Sequence, residues 1–277
     1  MRKLALTLRL FIVSAHVLRG VLVTAWILPR LSREDRNQAI QRWARQLLQI
    51  LRMDWRVSGA LPSLDQFPVL LTSNHVSWVD IFVIQALYPV RFVSKSEVRA
   101  WPVFGWLAAR TGTLFLVRAS RRQTAEIGTQ MQSVLAQGDS LGLFPESTTS
   151  DGQTLLPFRS PMLQAAVDSK RPLLPIFIHY KLSDGQPNPY LPFVGSMTFV
   201  ESLLKILGGP AATVDIRIGP LTHPLQQHRR ELAVLLEQHT RALMVGTTRT
   251  GYLEQGEVLQ TYGSEMPSPQ AAGIECQ

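Results

Sequence analysis

The sequence has a single cysteine, Cys276, which is the next-to-last residue. One cysteine excludes a disulfide framework and any metal site built from several cysteines, so we expect a reducing compartment. No internal repeat or low-complexity segment is present, and the 45% content of hydrophobic residues excludes a wholly disordered chain. The 277 residues suit one sizeable domain with additions, or two small domains.

Acidic residues are scarce in the first 60 positions, which hold eleven Lys and Arg but three Asp and Glu. The two signs balance in the rest of the chain, so the whole net charge of +8 lies near the N-terminus. A nucleic-acid-binding protein usually carries basic residues on its folded body, interleaved with aromatic residues, so this distribution disfavours nucleic acid as a partner. Basic residues next to apolar runs favour an anionic membrane surface instead.

Residues 4–28 form a strongly apolar stretch that contains Arg9, His16 and Arg19. At helical spacing these three side chains fall within an arc of about 80°, which makes a narrow polar stripe. Such a helix can lie in the membrane interface, or enter the bilayer with its stripe facing protein. The length, the charges and the lack of a small-x-small pattern disfavour a signal peptide. A soluble core helix is the alternative.

Ser32 opens a capping box, and apolar residues then recur every three or four positions to residue 51, which predicts a second helix. Packed against the first, it would complete a helical hairpin at the membrane surface, although a solvated helix on the domain is also consistent with the pattern. We therefore expect a membrane-associated hairpin at residues 1–54, an α/β domain at residues 55–254 and a flexible tail at residues 255–277.

From residue 55 onward, short apolar runs alternate with helical stretches. This alternation predicts an α/β fold with a mixed, largely parallel sheet flanked by helices. The predicted strands are 55–57, 69–71, 91–93, 114–117, 141–144, 173–178 and 214–218, and the predicted helices are 78–87, 97–110, 124–137, 161–168 and 225–245. Sites in such sheets form beyond the carboxyl ends of the strands.

His75 and Asp80 follow the predicted strand at 69–71. On a continuous helix their side chains would point about 140° apart and could not readily meet. They can meet if His75 ends a strand and Asp80 lies in the first turn of the next helix, as the cap-type residues Asn74 and Ser77 suggest. The carboxylate could then hold one ring nitrogen and leave the other as a general base. Helix capping is the alternative reading of this pair.

Three further stretches lie at strand ends. Arg118 ends the strand that begins at residue 114, and its guanidinium could bind a phosphate. Glu146 and the four hydroxyl residues after it follow another strand and could bind a polyol or a phosphate. Pro175 is unusual within a strand and suggests an edge, a bulge or the wall of a site. A surface arginine and a polar turn are the alternatives for the first two.

Together these segments resemble the four ordered motifs of the 1-acyl-glycerol-3-phosphate acyltransferase family, in the glycerolipid acyltransferase superfamily. The motifs are His-x4-Asp at His75 and Asp80, Gly-x-x-Phe-x-x-Arg from Gly112 to Arg118, Phe-Pro-Glu-x-Thr from Phe144 to Thr148, and the strand around Pro175. The resemblance covers about residues 68–180. Lys95 looks like a lysine that often follows the second strand in that family. One departure is Ser147, where the family usually has glycine, and a side chain there is strained if φ is positive.

The resemblance implies that His75 removes a proton from the hydroxyl of a lysophospholipid as it attacks an acyl thioester of coenzyme A or acyl carrier protein. Asp80 would fix the tautomer of the imidazole, and Asn74 or a backbone N–H near Ser77 would stabilise the oxyanion. The substrate-binding residues would be Asn74, Lys95, Arg118, Glu146, Ser147 and Thr148. Neither a metal nor a bound cofactor is required.

The acceptor implied by the resemblance is 1-acyl-glycerol-3-phosphate, which would give phosphatidic acid. The implied location is the inner membrane, with the active site facing the cytoplasm and membrane lipids as partners. Two alternatives remain. The same transfer could act on a lyso-aminolipid such as lyso-ornithine lipid, a change that Ser147 makes conceivable, or the chain could be a lipid-binding protein without activity.

Overall fold

The structure is a computed structural model that describes residues 2–62, 68–116, 121–224, 228–246 and 252–253. The strands β1 to β8 are Met53–Ser58, Leu70–Ser73, Arg91–Lys95, Leu114–Leu116, Leu141–Leu143, Leu173–Lys181, Ala212–Ile218 and Tyr252–Leu253. The helices α1 to α8 are Arg2–Trp26, Arg33–Ile50, Asp80–Leu87, Phe104–Arg110, Arg121–Ala136, Gln164–Ser169, Phe199–Gly208 and Arg229–Val245. The tail predicted at 255–277 lies outside the described residues.

The strands form one sheet in the order β4-β3-β5-β2-β6-β7-β1-β8. The pairs β6–β7 and β1–β8 are antiparallel, and the five other pairs are parallel. The predicted mixed, largely parallel sheet is therefore confirmed. Strand β2 lies in the middle of the sheet between β5 and β6, so the segment that follows it emerges at the centre of the carboxyl edge.

Helices cover both faces of this sheet and divide the core in two. On one face, α1, α2, α3 and α7 contribute buried side chains such as Val13, Leu48 and Ile206. On the other face, α5, α6 and α8 contribute side chains such as Met131 and Leu236. A fully buried leucine stabilises the fold by about 1.5–3 kcal/mol relative to an exposed one, so both layers hold the sheet in place.

Helices α1 and α2 pack as a hairpin through a reciprocal pair of contacts. The imidazole of His16 stacks on the indole of Trp43 with 4.7 Å between ring centroids, and each ring bonds to the other residue's carbonyl oxygen at 3.1 and 3.2 Å. Arg9 donates to the carbonyl of Leu207 at 2.8 Å, and Arg19 donates to a glutamine of α2 at 3.0 Å. The polar stripe predicted for the first helix therefore faces protein.

Several predicted boundaries changed. The single helix predicted at 97–110 is wrong, because Pro102 lacks a backbone N–H and the chain forms a 3₁₀ helix at Ser96–Ala100 and then α4. Helix α7 was not predicted, although Thr198 and Glu201 form the capping box that opens it. The short strand β8 was also missed. The helix predicted from residue 225 begins at Arg229, and residues 225–227 lie outside the described part.

Pro175 lies within β6, an interior strand, so an edge position is wrong. The partner registers are Ile176 with Ile218 and Leu173 with Thr222. Two residues of β6 therefore face three residues of the segment after β7, which is a bulge. The carbonyl of Pro175 accepts the N–H of Gly219 at 2.8 Å, so the bulge accommodates a residue that has no N–H of its own to donate.

Candidate active site

The parallel strands β3, β5 and β2 end at one edge of the sheet and carry the predicted site residues to it. Lys95 is the last residue of β3, His75 follows β2 by two positions, and Glu146 follows β5 by three. Arg118, two positions beyond β4, lies outside the described residues. The topology thus gathers three of the predicted segments at one place.

His75 and Asp80 meet in the geometry that the sequence predicted. Asp80 is the first residue of α3, and its Oδ2 lies 2.8 Å from Nδ1 of His75. The same oxygen accepts the backbone N–H groups of Val76 at 2.7 Å and Ser77 at 2.9 Å. Asp80 is completely buried, so these donors stabilise its charge where water cannot. The carboxylate both caps the turn before α3 and orients the imidazole.

Tyr180 on β6, which was not among the predicted site residues, completes the environment of Asp80. Its hydroxyl donates to Oδ1 of Asp80 at 2.5 Å. Burial raises the pKa of Tyr180 well above its ordinary value, and the neighbouring Asp80 carboxylate raises it further, so the phenol remains a donor. The predicted strand ended at residue 178, whereas β6 runs to Lys181, and this extension brings Tyr180 under the site.

The imidazole of His75 is fixed by stacking as well as by Asp80. Its ring lies parallel to that of Phe144, with 3.9 Å between centroids, and Phe144 stacks in turn on Phe92 at 5.8 Å. The side chain of His75 keeps 18% of its surface exposed and lines a cleft of about 460 Å³. The ring therefore has one edge against the protein and one that faces the cleft.

Glu146 supports the segment that carries His75. One of its carboxylate oxygens accepts the backbone N–H of His75 at 2.8 Å, and the other accepts the N–H of Leu156 at 3.0 Å. Burial raises the pKa of Glu146 to about 6, although both N–H groups act in the opposite direction. The carboxylate was expected to bind substrate, but both oxygens are engaged inside the protein. It ties the segment after β5 to His75.

Asn74 and the N–H of Ser77, which were expected as oxyanion donors, both make hydrogen bonds inside the protein. The side-chain amide of Asn74 donates to the carbonyl of Ile178 at 2.9 Å and accepts its N–H at 2.8 Å, as a backbone partner would. Asn74 is buried and extends the pairing of the segment after β2 with β6. The Ser77 N–H is bound to Asp80.

The remaining predicted residues line the cleft. Lys95 and Thr148 are exposed there, and Ser147 lies beside them. The φ of Ser147 is 64°, so the strain anticipated for a side chain at this position is present. Arg159, which was not among the predicted site residues, is a further exposed cation in the cleft lining. An arginine in the polar loop that returns to the strand edge was the available signal.

A second, strongly apolar cavity of about 160 Å³ adjoins the cleft. The two share Trp78, Phe92 and Trp101 in their walls, and the cavity continues between α1, α2, α4 and α7. Among the described residues, no group of three or more His, Cys, Asp and Glu could hold a metal ion. The site thus combines a histidine, a cleft with cationic side chains and an apolar chamber.

Comparison with known proteins agrees with this arrangement. A family model described as Acyltransferase matches residues 54–179. The chain is 35% identical over 253 residues to a lyso-ornithine lipid O-acyltransferase of Pseudomonas aeruginosa, which covers 87% of this chain and 95% of that protein. It is 37% identical over 149 residues to a 1-acyl-sn-glycerol-3-phosphate acyltransferase of Neisseria meningitidis serogroup B, which covers 53% of this chain and 57% of that protein.

The fold also resembles a solved structure. The crystal structure of a 1-acyl-sn-glycerophosphate acyltransferase from Thermotoga maritima matches 90% of this chain and 99% of that chain with a TM-score of 0.64, at 21% sequence identity. That similarity shows the fold, whereas the Pseudomonas protein is related over nearly its whole length. The family resemblance drawn from the four motifs is confirmed, and the chain belongs to the acyltransferase family.

Proposed function

We propose that this acyltransferase moves an acyl chain from a thioester of coenzyme A or acyl carrier protein to the free hydroxyl of a lysolipid, with His75 as general base. The observation that carries the proposal is the 2.8 Å contact between Nδ1 of His75 and buried Asp80, at the wall of the cleft. Because the carboxylate holds Nδ1–H, Nε2 is the ring nitrogen that can accept a proton.

The reaction follows from that tautomer. The acceptor hydroxyl oxygen attacks the thioester carbonyl while Nε2 of His75 takes the hydroxyl proton. Asp80 stabilises the imidazolium. The negative charge of Asp80 is in turn stabilised by hydrogen bonds from Tyr180 and two backbone N–H groups. The tetrahedral intermediate then expels the thiolate, which receives the proton from the imidazolium. The products are an ester and a free thiol, and the histidine returns to its starting form.

The cleft and the cavity support an amphipathic substrate. Lys95 and Arg159 are cations that can meet the anionic group of a headgroup, whether a phosphate or a carboxylate, and Arg118 remains a proposed third. The adjoining cavity, walled largely by apolar and aromatic side chains, suits an acyl chain. A headgroup in the cleft and a chain in the cavity would place the reacting atoms near His75, where the two spaces meet.

Helix α1 supports membrane association. The helical stretch Leu4–Arg30 is long and apolar enough to cross a membrane, and little of it is buried inside the protein. Its exposed large apolar side chains are Leu4, Leu8, Leu10, Phe11, Ile12, Leu18, Leu22, Trp26 and Ile27. With the basic residues of the hairpin, this surface would hold the protein on the inner membrane, with the active site on the cytoplasmic side.

Different observations support two candidate acceptors. The motifs resemble those of enzymes that acylate 1-acyl-glycerol-3-phosphate, which was the first expectation. The relative that is matched over 95% of its own length acylates lyso-ornithine lipid by name. We therefore place lyso-ornithine lipid first and 1-acyl-glycerol-3-phosphate second.

The test is a matrix of two labelled donors, acyl coenzyme A and acyl carrier protein, against the two acceptors, with the purified full chain. We expect ester formation with lyso-ornithine lipid, loss of transfer in His75→Ala, and unchanged transfer in His239→Ala, a histidine that contacts Thr222 away from the cleft. Transfer to lysophosphatidic acid alone would select the second acceptor. No transfer to either by the wild-type protein would favour a binding protein without activity.

A further inference from the structure

Residues 100–109 form an uncharged segment between Arg99 and Arg110. Trp101 and Phe104 turn inward, with ring centroids 6.1 and 4.8 Å from that of Phe199 on α7. Val103 and Trp106 turn outward and are 45% and 37% exposed. The segment therefore presents apolar side chains on both its inner and its outer surface, unlike an ordinary surface helix.

The tip of this segment is a strained turn. Val103 has φ 65° and ψ −57°, and the N–H of Phe104 donates to the carbonyl of Pro102 at 2.7 Å. These are the features of a γ-turn of the rare form, which is unfavourable for a β-branched residue. Such strain persists where the surroundings fix it, and it is concentrated at functional positions. Here it holds an apolar side chain at an exposed tip.

The neighbouring elements extend the apolar surface. Helix α7 exposes Val200 at 62% and Leu204 at 39%, and α1 exposes Leu22 and Trp26. The apolar cavity is lined by residues of α1, α4 and α7, including Gly20, Leu107 and Phe199. The segment at 100–109 therefore borders the chamber that leads to the cleft.

We propose that residues 100–109, together with the exposed face of α7, insert into the lipid layer beside α1 and form the entrance through which an acyl chain passes from the membrane into the apolar cavity. The inference rests on the proposed function for its purpose, but the contact with lipid can be measured without it.

The flanking charges identify a membrane as the partner. Arg99 and Arg110 are exposed at the two ends of the uncharged segment, and the Arg110 guanidinium lies 5.4 Å from the Trp106 ring. Arginine beside tryptophan is typical of the level of the lipid headgroups, where the cation meets phosphate and the ring reaches the acyl region. A protein partner would not require cations at both ends of the insertion.

Helix α8 provides a matched control. Val234 is 57% exposed, but α8 packs on the opposite face of the sheet from α1 and α7. A probe at Val234 should stay in water while the protein is bound to a membrane through α1. This position separates insertion of residues 100–109 from general attachment.

The experiment places single cysteines in the full chain. In a Cys276→Ser background, Val103→Cys, Ala109→Cys and Val234→Cys are each labelled with an environment-sensitive fluorophore and mixed with vesicles of phosphatidylcholine and phosphatidylglycerol. We expect a blue shift, and quenching by lipids that carry a nitroxide on the acyl chain, at positions 103 and 109 but not at 234. Probes at 103 and 109 that behave like the probe at 234 would overturn the proposal.

A kinetic arm tests the entrance. In Trp106→Ser, we expect KM for lysolipid presented in vesicles to rise about tenfold, because an interfacial anchor is lost, while transfer in detergent micelles stays within about twofold. Val234→Ser should match the wild type in both assays. Equal losses in vesicles and micelles would show a structural defect and count against an entrance. If the wild type transfers nothing, the proposed function fails while the quenching result still stands.

Discussion

The segments after β2 and β5 each follow a central parallel strand, and each carries a carboxylate and hydroxyl side chains. The structure nevertheless uses the two segments differently. The segment after β2 presents the imidazole of His75 to the cleft. The segment after β5 hydrogen-bonds to the backbone of His75 at two points. The Glu146 carboxylate accepts the N–H of His75, and the N–H of Ser150 donates to the carbonyl of His75 at 2.8 Å. The segment after β2 carries the proposed general base, and the segment after β5, the supporting segment, holds its backbone in position.

The difference shows that a polar residue at a strand end can contribute to a site by fixing the backbone of a neighbouring segment. Glu146 has both oxygens occupied by backbone donors, so its contribution is to keep the His75 backbone where the ring can reach the cleft. A buried N–H without a partner costs about 1–3 kcal/mol, which makes such a support strong enough to matter. Mutations in the segments after β2 and β5 should therefore have different effects.

Changes to the reactive pair should have the largest effect. His75→Ala and Asp80→Asn should each lower kcat by about 10²–10⁴-fold, because general base catalysis contributes that much. Asp80→Asn also weakens the bonds to Val76 and Ser77, so thermal unfolding should be followed beside the transfer assay. A folded variant of either kind that keeps most of its activity would contradict the proposed role of this pair.

Tyr180→Phe should have an intermediate effect. The variant keeps the ring and removes the hydroxyl that donates to Asp80, so the carboxylate holds the imidazole less firmly. We expect kcat to fall about tenfold, since a hydrogen bond to a charged group contributes roughly a factor of ten. KM should change by less than about twofold. Tyr190→Phe, in an exposed loop, is the control. A rise in KM with kcat intact would assign Tyr180 to substrate binding instead.

Local patterns allowed the reactive pair, the parallel sheet and the polar stripe of α1 to be predicted, because each depends on residues close in sequence. The fully engaged state of Glu146 and Asn74 could not be predicted, since their partners Leu156 and Ile178 become neighbours only when the strands assemble. Tyr180 was missed for the same reason. The break at Pro102 was visible in the sequence and was overlooked.

Glu146→Gln tests the supporting segment through stability. The glutamine keeps one acceptor for two buried N–H groups, so the free energy of unfolding should fall by about 1–3 kcal/mol. The wild-type pKa of about 6 lies above the ordinary 4.5, so ionisation of Glu146 should lower the stability of the wild-type protein, relative to Glu146→Gln, by roughly 2 kcal/mol in all as pH rises from below 4.5 to above 6.

That loss should be absent in Glu146→Gln and retained in the control Glu126→Gln, which lies on an exposed part of α5. Denaturant unfolding at several pH values between 4 and 7 measures both quantities. A wild-type protein that gains stability relative to Glu146→Gln over this interval would show that Glu146 is favoured as an anion, and its support for His75 would then be electrostatic.

Ser147→Gly, within the supporting segment, should have the smallest effect. Glycine relieves the strain at φ 64° but adds freedom to the unfolded chain, and the two terms nearly cancel, so stability should change by less than about 1 kcal/mol. Ser147→Val should destabilise by about 1–2 kcal/mol, because a β-branched residue tolerates positive φ poorly.

Ser147→Gly also tests whether the Ser147 side chain determines which acceptor is used. Ser147 lines the cleft, but its hydroxyl lies 3.4 Å from the carbonyl of Pro145 and therefore points toward the backbone of its own turn. We expect the ratio of transfer to lyso-ornithine lipid and to lysophosphatidic acid to change by less than about threefold in Ser147→Gly, since no strong bond to substrate is lost. A larger change would place this hydroxyl on the headgroup and make the supporting segment part of the binding surface.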